Sequence, residues 1–522
     1  MIGRILTVSG FTLVSRVSGF IRDIVLAAVL GAGPVADVFF VALRIPNHFR
    51  AIFAEGAFNA AFVPACARVR AQGGEAGASL FADRIFTLLM ASQVVLLALA
   101  LVFTPGLIAL LTPGYVNDPQ RFTLAVEFSR ITFPYLLLIT IVSFYGGILN
   151  ALHRFAAAAA APILFNISMI TALSLAAFFP SAGYAAAWAV LVAGILEALL
   201  LIGAAGRADV LARLRWPDFD KDVRSFFRAL GPATVGSAGV QLALFADTMI
   251  AGFLPVGALS ALYYADRLNQ LPIGVIGIAV GTVLLPEMAT RLAAGDENGA
   301  RNAQGRAIEL TLLLSIPCVV AFLVVPEPII RALFLRGAFT AADAHAAGMT
   351  LAAYALGLLP FVLIRSFTAT FFARGDTATP VKAAVIAAAI NIAFKVALMG
   401  SLLQVGLALA TSIGAWINLG LVVWFGMRMG LIAFDPALTR SITRLTGAGI
   451  VLGVILWAAH RAALALVPQS LFLRDEAILT GLVVTGALVY GGAIVLLLGV
   501  GWLKNLARRL EQAVPSSAGH QS

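Results

Sequence analysis

Charge is scarce in this sequence. Asp, Glu, Lys and Arg make up 11% of its 522 residues, against 61% hydrophobic ones. A soluble protein of this size carries charge on roughly a quarter of its residues, so a water-soluble globular fold is excluded. Cysteine is nearly absent: Cys66 and Cys318 stand far apart with no metal-ligand spacing, which argues against a disulfide framework and a metal centre. Lysine occurs four times, and no GxxxxGK[ST] string is present, so the chain is expected to carry no ATP-hydrolysing loop. GxSxG, a His/Cys/carboxylate cluster and a large polar domain are also missing, and no enzyme is expected. A removable leader is not expected either. The apolar N-terminal stretch contains Arg16, Arg22 and Asp23 and is followed by no small-residue cleavage site, so it reads as a first span.

What is abundant is apolar text in long runs, with 48 glycines and many alanines that suit close helix packing in lipid. A helix needs roughly 20 mostly apolar residues to cross a bilayer, and by that measure about fourteen stretches qualify. The expected fold is an all-α polytopic membrane protein. The net charge of +10 would suggest nucleic acid in a soluble chain. Here arginine-rich loops account for it, and no nucleic-acid partner is expected. Alternate loops carry Arg68, Arg70 and Arg84, then Arg154, then Arg207, Arg213, Arg215, Lys221 and Arg224, then Arg291, Arg301 and Arg306, then Arg374 and Lys382, then Arg440 and Arg444. The positive-inside rule then puts both termini in the cytoplasm, which requires an even number of spans.

The text also repeats. FTLVSRVSGFIRDIVLAAVLGAGPVADVFFVALRIP, from Phe11, lies beside TVGSAGVQLALFADTMIAGFLPVGALSALYYADRLNQ, from Thr234. Asp23 falls near Asp247 and Arg44 on Arg267, Pro64 is in step with Pro286, and ALHRF around Arg154 resembles FFARGD around Arg374. A duplicated six-span unit follows, with a six-helix lobe over 1–206, a cytoplasmic linker over 207–228, a second lobe over 229–430, and two further helices and a tail over 431–522. Units with an even number of spans enter the membrane in the same sense, so a pseudo-twofold axis along the membrane normal and a cavity between the lobes are expected.

Ionisable residues within spans cost roughly 2.5–3.5 kcal/mol each on insertion scales and mark function by default. The first lobe has Arg16, Arg22, Asp23, Asp37, Arg44, Arg50 and Glu55; the second has Asp247, Asp266, Arg267, Arg365 and Lys395. Guanidinium groups stay charged and offer a fork of donors that fits phosphate oxygens. Arg16, Arg22, Arg50 and Arg267 could therefore grip a diphosphate, with Asp37 and Glu55 orienting arginines or meeting sugar and peptide groups. The competing reading is structural: Arg22–Asp23 and Asp266–Arg267 as internal ion pairs, with Arg44 and Arg50 as interfacial anchors. Lys395 lies one helical turn after Asn391. Asp247 with Asn391 and Thr411 could form an ion site, but the ammonium of Lys395 would compete with a bound cation, and an Asp247–Lys395 ion pair is favoured.

SRVSGFIRD (Ser15–Asp23), GAGPVADVFFVALRIPN (Gly31–Asn47), FRAIFAEGAFNAAFVP (Phe49–Pro64), LNALHRF (Leu149–Phe155) and YYADRLNQLPIGVIGIAVGTVLLPEMA (Tyr263–Ala289) resemble the MurJ/MviN lipid II flippase family. That family sits in the multidrug/oligosaccharidyl-lipid/polysaccharide exporter superfamily, and the resemblance runs through nearly the whole chain. It implies fourteen helices in two six-helix lobes, plus two C-terminal helices that form a lipid-facing groove. It also implies a bacterial inner-membrane location and lipid II, the undecaprenyl-diphosphate-linked disaccharide pentapeptide of peptidoglycan synthesis, as substrate. Membrane lipids and cell-wall synthesis proteins are the other expected partners. By matching position, the family's cavity residues fall on Arg16, Arg22, Asp37, Arg50, Glu55, Asp266 and Arg267. Some family members hold a sodium ion in the second lobe; here Lys395 stands at what looks like an acidic ligand position and departs from that set. No cofactor is expected. Membrane potential is the expected drive, and sodium or proton coupling stays open. The alternatives are a flippase for another polyprenyl-linked glycan, a cation-coupled drug exporter, and a non-transporting scaffold.

Overall fold

The computed structural model describes residues 2–53, 57–216, 218–433 and 435–502. Among these the chain forms sixteen α-helices and no strand. Helices dominate because a lipid-embedded backbone must satisfy its own N–H and C=O groups. Among the described residues nine stretches are long and apolar enough to cross a membrane, and the chain is a multi-pass membrane protein.

Contacts divide the chain into two compact units, Met1–Ser260 with Arg336–Thr340, and Ala261–Leu335 with Ala341–Ser522. The first unit contains α1 (Ile2–Leu30), α2 (Pro34–Phe53), α3 (Ala57–Val102), α4 (Thr104–Leu111), α5 (Pro119–Thr132), α6 (Tyr135–Ala151), α7 (Ala156–Ser174), α8 (Ala182–Gly206) and α9 (Lys221–Ala251). α10 (Ala258–Ala293) starts in it. The second unit continues through α11 (Glu297–Val324), α12 (Pro326–Phe334), α13 (Ala341–Phe372), α14 (Ala378–Arg428), α15 (Pro436–Leu466) and α16 (Arg474–Leu498). Helices α1, α2, α9 and α10 are not among the nine apolar stretches. They are the helices that carry Arg16, Arg22, Asp37, Asp247, Asp266 and Arg267. The contact boundary falls after Ser260, so α9 packs on α2 and α3 of the first unit, whereas the sequence repeat begins a second lobe at residue 229.

Two long helices double back. α3 breaks at Gly74 (φ 68°), which brings Phe62 onto Phe81. α14 breaks at Leu403 (φ 49°) and lays Gly414 against the side chain of Asn391.

The duplication is written in the backbone. Of the residues with positive φ, Gly31 and Gly257, Gly74 and Gly295, His153 and Gly375, and Asp209 and Gly430 form four pairs, each 221–226 residues apart. The closing hydrogen bonds recur with them. Arg154 N–H reaches back to Leu149 O (2.8 Å), and Asp376 N–H to Phe371 O (3.0 Å). This is the six-to-one bond of a left-handed helix C-terminus.

The first unit is held together by an aromatic core. Phe58, Phe62, Phe81, Phe144 and Phe226 pack with ring centroids 5.0–6.4 Å apart. Such pairs contribute roughly 0.5–1.5 kcal/mol each beyond burial. Phe226 is the anchor that α9 places in this core, alongside side chains from α3 and α6.

Candidate functional site

Helix α1 carries an arginine held in a fixed pose. Arg22 donates from Nε and Nη2 to Asp23 Oδ1 (3.0 and 2.7 Å) and from Nη1 to Asn166 Oδ1 of α7 (3.0 Å). Its guanidinium also lies 5.6 Å from the Phe165 ring centroid. Asn166 is itself oriented, since its Nδ2 donates to Ser15 O (3.0 Å) and Ser18 Oγ (2.9 Å). A guanidinium has five N–H donors. The three engaged here fix its plane, and the other two meet no partner among the described residues. Arg16, on the same helix, is exposed.

Asp37 has a different setting from an open substrate surface. Its carboxylate is fully buried. It accepts from Gly257 N (2.7 Å), Ser260 N (2.9 Å) and Ser260 Oγ (2.6 Å), with Arg121 Nη2 at 3.7 Å. The first N–H groups of a helix lack partners within it and favour a negative charge. Gly257 has no side chain to cap α10, so Asp37 of α2 does so in its place. Only glycine fits there: φ is +86°, and a Cβ would lie 2.7 Å from Ala32 O. Arg121 is steadied in turn by the Tyr115 ring, 4.0 Å from the centroid. In this conformation Asp37 is a structural cap for α10.

In the second unit, α10 presents Asp266 and Arg267 in succession. Gln270 Nε2 donates to Asp266 Oδ1 at 3.4 Å, and the exposed Arg267 guanidinium lies 4.8 Å from the Tyr263 ring centroid. The α14 hairpin buries Lys395, and Thr411 Oγ1 bonds back to Leu407 O (2.9 Å). Asn391 Oδ1 is buried without a hydrogen-bond partner. Asp247 is half-buried on α9 in the first unit. The side chain of Arg50 and the whole of Glu55 lie outside the described residues.

The second unit also contains an apolar groove of about 560 Å³ between α11, α13, α14 and α15, lined by residues such as Ile316, Val320, Leu363, Trp416, Gly449 and Gly453. Gly449 and Gly453 let α15 approach α11 closely, for a Cβ on Gly449 would lie 2.6 Å from Ile316. The resemblance assigned a groove to the last two helices. The groove seen here is built from α15 and three earlier helices, and none of its described lining residues is on α16.

Residues 26–475 match the family model described as lipid II flippase MurJ. The chain belongs to the MurJ family. A relative from Rhizobium tropici, named "Probable lipid II flippase MurJ", is 37% identical over 99% of this chain and 98% of its own length. A solved structure of "Lipid II flippase MurJ, inward closed conformation" superposes with a TM-score of 0.78 at 23% identity, covering 94% of this chain and 98% of that one. An inward-facing multidrug resistance MATE transporter of the MOP superfamily gives 0.64 at 15% identity, over 83% and 99%. These two likenesses establish the fold.

Within this MurJ-family chain, sequence reading passed over several partners. Asn166 and Phe165 hold Arg22, and Arg121 and Ser260 complete the Asp37 cluster, but neutral or loop-end residues carry no signal by rarity. Glu197 did carry one. It is the sole acid of α8, is buried, and accepts from Tyr135 OH at 3.4 Å.

Proposed function

We propose that this chain carries lipid II from the inner to the outer leaflet of the bacterial cytoplasmic membrane by alternating access, without hydrolysing ATP. The observation that carries the proposal is kinship along nearly the whole chain with a protein named for that activity. Arg22 supplies the chemistry, with two donors unpartnered among the described residues on an oriented guanidinium, in a helix that also bears Arg16. In this reading Arg16, Arg22, Arg50 and Arg267 take the diphosphate, and Glu55 and Asp266 orient arginines or meet the headgroup. Asp37 acts indirectly, by fixing the start of the helix that bears Asp266 and Arg267.

The polyprenyl tail stays in lipid, and the apolar groove between α11, α13, α14 and α15 suits it in chemistry. In this reading the chain crosses fourteen times, which sets both termini on one side of the membrane, and the arginine-rich loops make that side the cytoplasm. Each negative charge moving outward is favoured by roughly 2.3 kcal/mol per 100 mV of inside-negative potential, so the membrane potential is a sufficient drive.

The test is outer-leaflet lipid II in cells depleted of their own flippase and supplied with this chain, read by an added enzyme that cleaves the exposed headgroup. Restored cleavage supports the assignment. If the protein is inserted and cleavage is not restored, the substrate is another lipid-linked glycan.

A further inference from the structure

Residues 207–216 and 218–220, which join α8 to α9, turn at 207–209 and then run without regular secondary structure as a strap buckled to α3. Asp83 accepts from Arg213 N (2.8 Å) and Arg215 Nε (2.9 Å), Thr87 Oγ1 accepts from Arg215 N (3.0 Å), and Arg84 pairs with Asp218 (2.8 Å) and Asp220. Asp220 also caps α9 by accepting from Val223 N. The strap is thus fixed at residues 213, 215, 218 and 220, and upstream of them Val210 and Ala212 pack against the aromatic core.

What the strap turns outward is unusual for a loop. Trp216 is 92% exposed and Leu214 74%, with Leu211 and Phe219 also exposed. None of these is on a membrane-crossing helix, so lipid tails around a span do not explain them. In the same stretch of chain, Arg213, Lys221, Arg224 and Arg228 are exposed, and their side chains pair with no described residue. Of the strap's carboxylates, Asp218 and Asp220 are already taken by Arg84, and Asp209 is exposed at the end next to α8, away from Trp216 in the sequence. The outward face is therefore apolar and cationic at once. That combination matches the boundary between headgroups and acyl chains of an anionic leaflet, where Trp anchors and Arg or Lys contact phosphate.

We infer that the strap is a membrane-surface anchor: Trp216, Leu214 and Phe219 enter the headgroup–acyl boundary, and Arg213, Lys221, Arg224 and Arg228 bind anionic lipid headgroups. The inference does not depend on what the protein transports.

The test uses the full chain in nanodiscs of phosphatidylglycerol or of phosphatidylcholine, each doped with lipid brominated high on the acyl chain. Wild-type fluorescence minus that of Trp216→Phe isolates Trp216, whose exposed ring makes the substitution harmless to packing. The expected result is strong quenching of Trp216 in phosphatidylglycerol and weaker quenching in phosphatidylcholine. Amide exchange across 207–220 should slow in the same order, a readout that needs no variant. Arg213→Gln with Arg224→Gln should lose the preference for phosphatidylglycerol, by roughly fivefold per cation. Equal quenching in both lipids would overturn the anionic part. An unquenched Trp216 in both would overturn the anchor and leave the face to a protein partner.

Discussion

Arg22 of α1 and Asn166 of α7 are joined by a 3.0 Å hydrogen bond from a guanidinium to a side-chain amide. The amide cannot rotate away, because its nitrogen is spent on Ser15 and Ser18 of α1. Arg22 is therefore aimed by a neighbour that never needs to touch the substrate. Hydrogen bonds to charged groups contribute about 1.5–3 kcal/mol. Asn166→Leu should lower translocation about tenfold at an unchanged membrane level, and Arg22→Lys should lower it further because a point charge cannot reproduce the fork. Equal activity of Asn166→Leu and wild type in the headgroup-cleavage assay would show that Arg22 needs no such support.

Asp37 satisfies two backbone amides and a hydroxyl of the α10 start and faces Arg121. Removing one partner of a buried charge pair costs about 3–5 kcal/mol. Asp37→Ala should lose that much stability. Asp37→Asn should lose less, since it keeps an acceptor oxygen. Thermal unfolding of the purified variants measures both, and a melting point for Asp37→Ala equal to wild type would remove the capping role.

Gly257 combines φ +86° with a backbone oxygen 2.7 Å from where a Cβ would stand. Alanine at a positive-φ position destabilises by more than about 1 kcal/mol. Gly257→Ala should lower the melting temperature, whereas Gly10→Ala, inside α1 where a Cβ would meet nothing within 4 Å, should not lower it.

Asp83 holds the strap through one backbone amide and one guanidinium. Asp83→Ala should open the segment 207–220 to added protease in inside-out vesicles, with cleavage rising severalfold over wild type. An unchanged cleavage rate would mean that Arg84 and the aromatic anchor Phe226 hold the strap without it.

Much of this was legible in the text of the chain, and the remainder was not for definite reasons. Apolar runs with interrupting arginines are enough to specify an all-helical membrane protein, because lipid admits little else. The repeat was readable at Asp23 and Asp247 and at Pro64 and Pro286, and the positive-φ turns extend it to positions such as His153 and Gly375 that share no residue type. Arg22 and Arg267 stand out in the sequence because charge in a span is rare. Their surroundings do not. Asn166 is an ordinary polar residue until α7 lies beside α1, and Asp37 reads as a cavity acid until its oxygens are seen on the α10 amides. The strap was visible only as an arginine-rich linker, since the exposure of Trp216 depends on Asp83 and Arg84 pulling the chain flat.

The central claim is that arginines within the spans hold the diphosphate of lipid II. The most direct measurement is outer-leaflet lipid II cleavage in flippase-depleted cells carrying wild type, Arg22→Ala or Arg267→Ala, at matched membrane levels. Cleavage should be restored by wild type and abolished in each variant. Cleavage at the wild-type level with either variant would contradict the arginine grip and require the diphosphate to be held elsewhere.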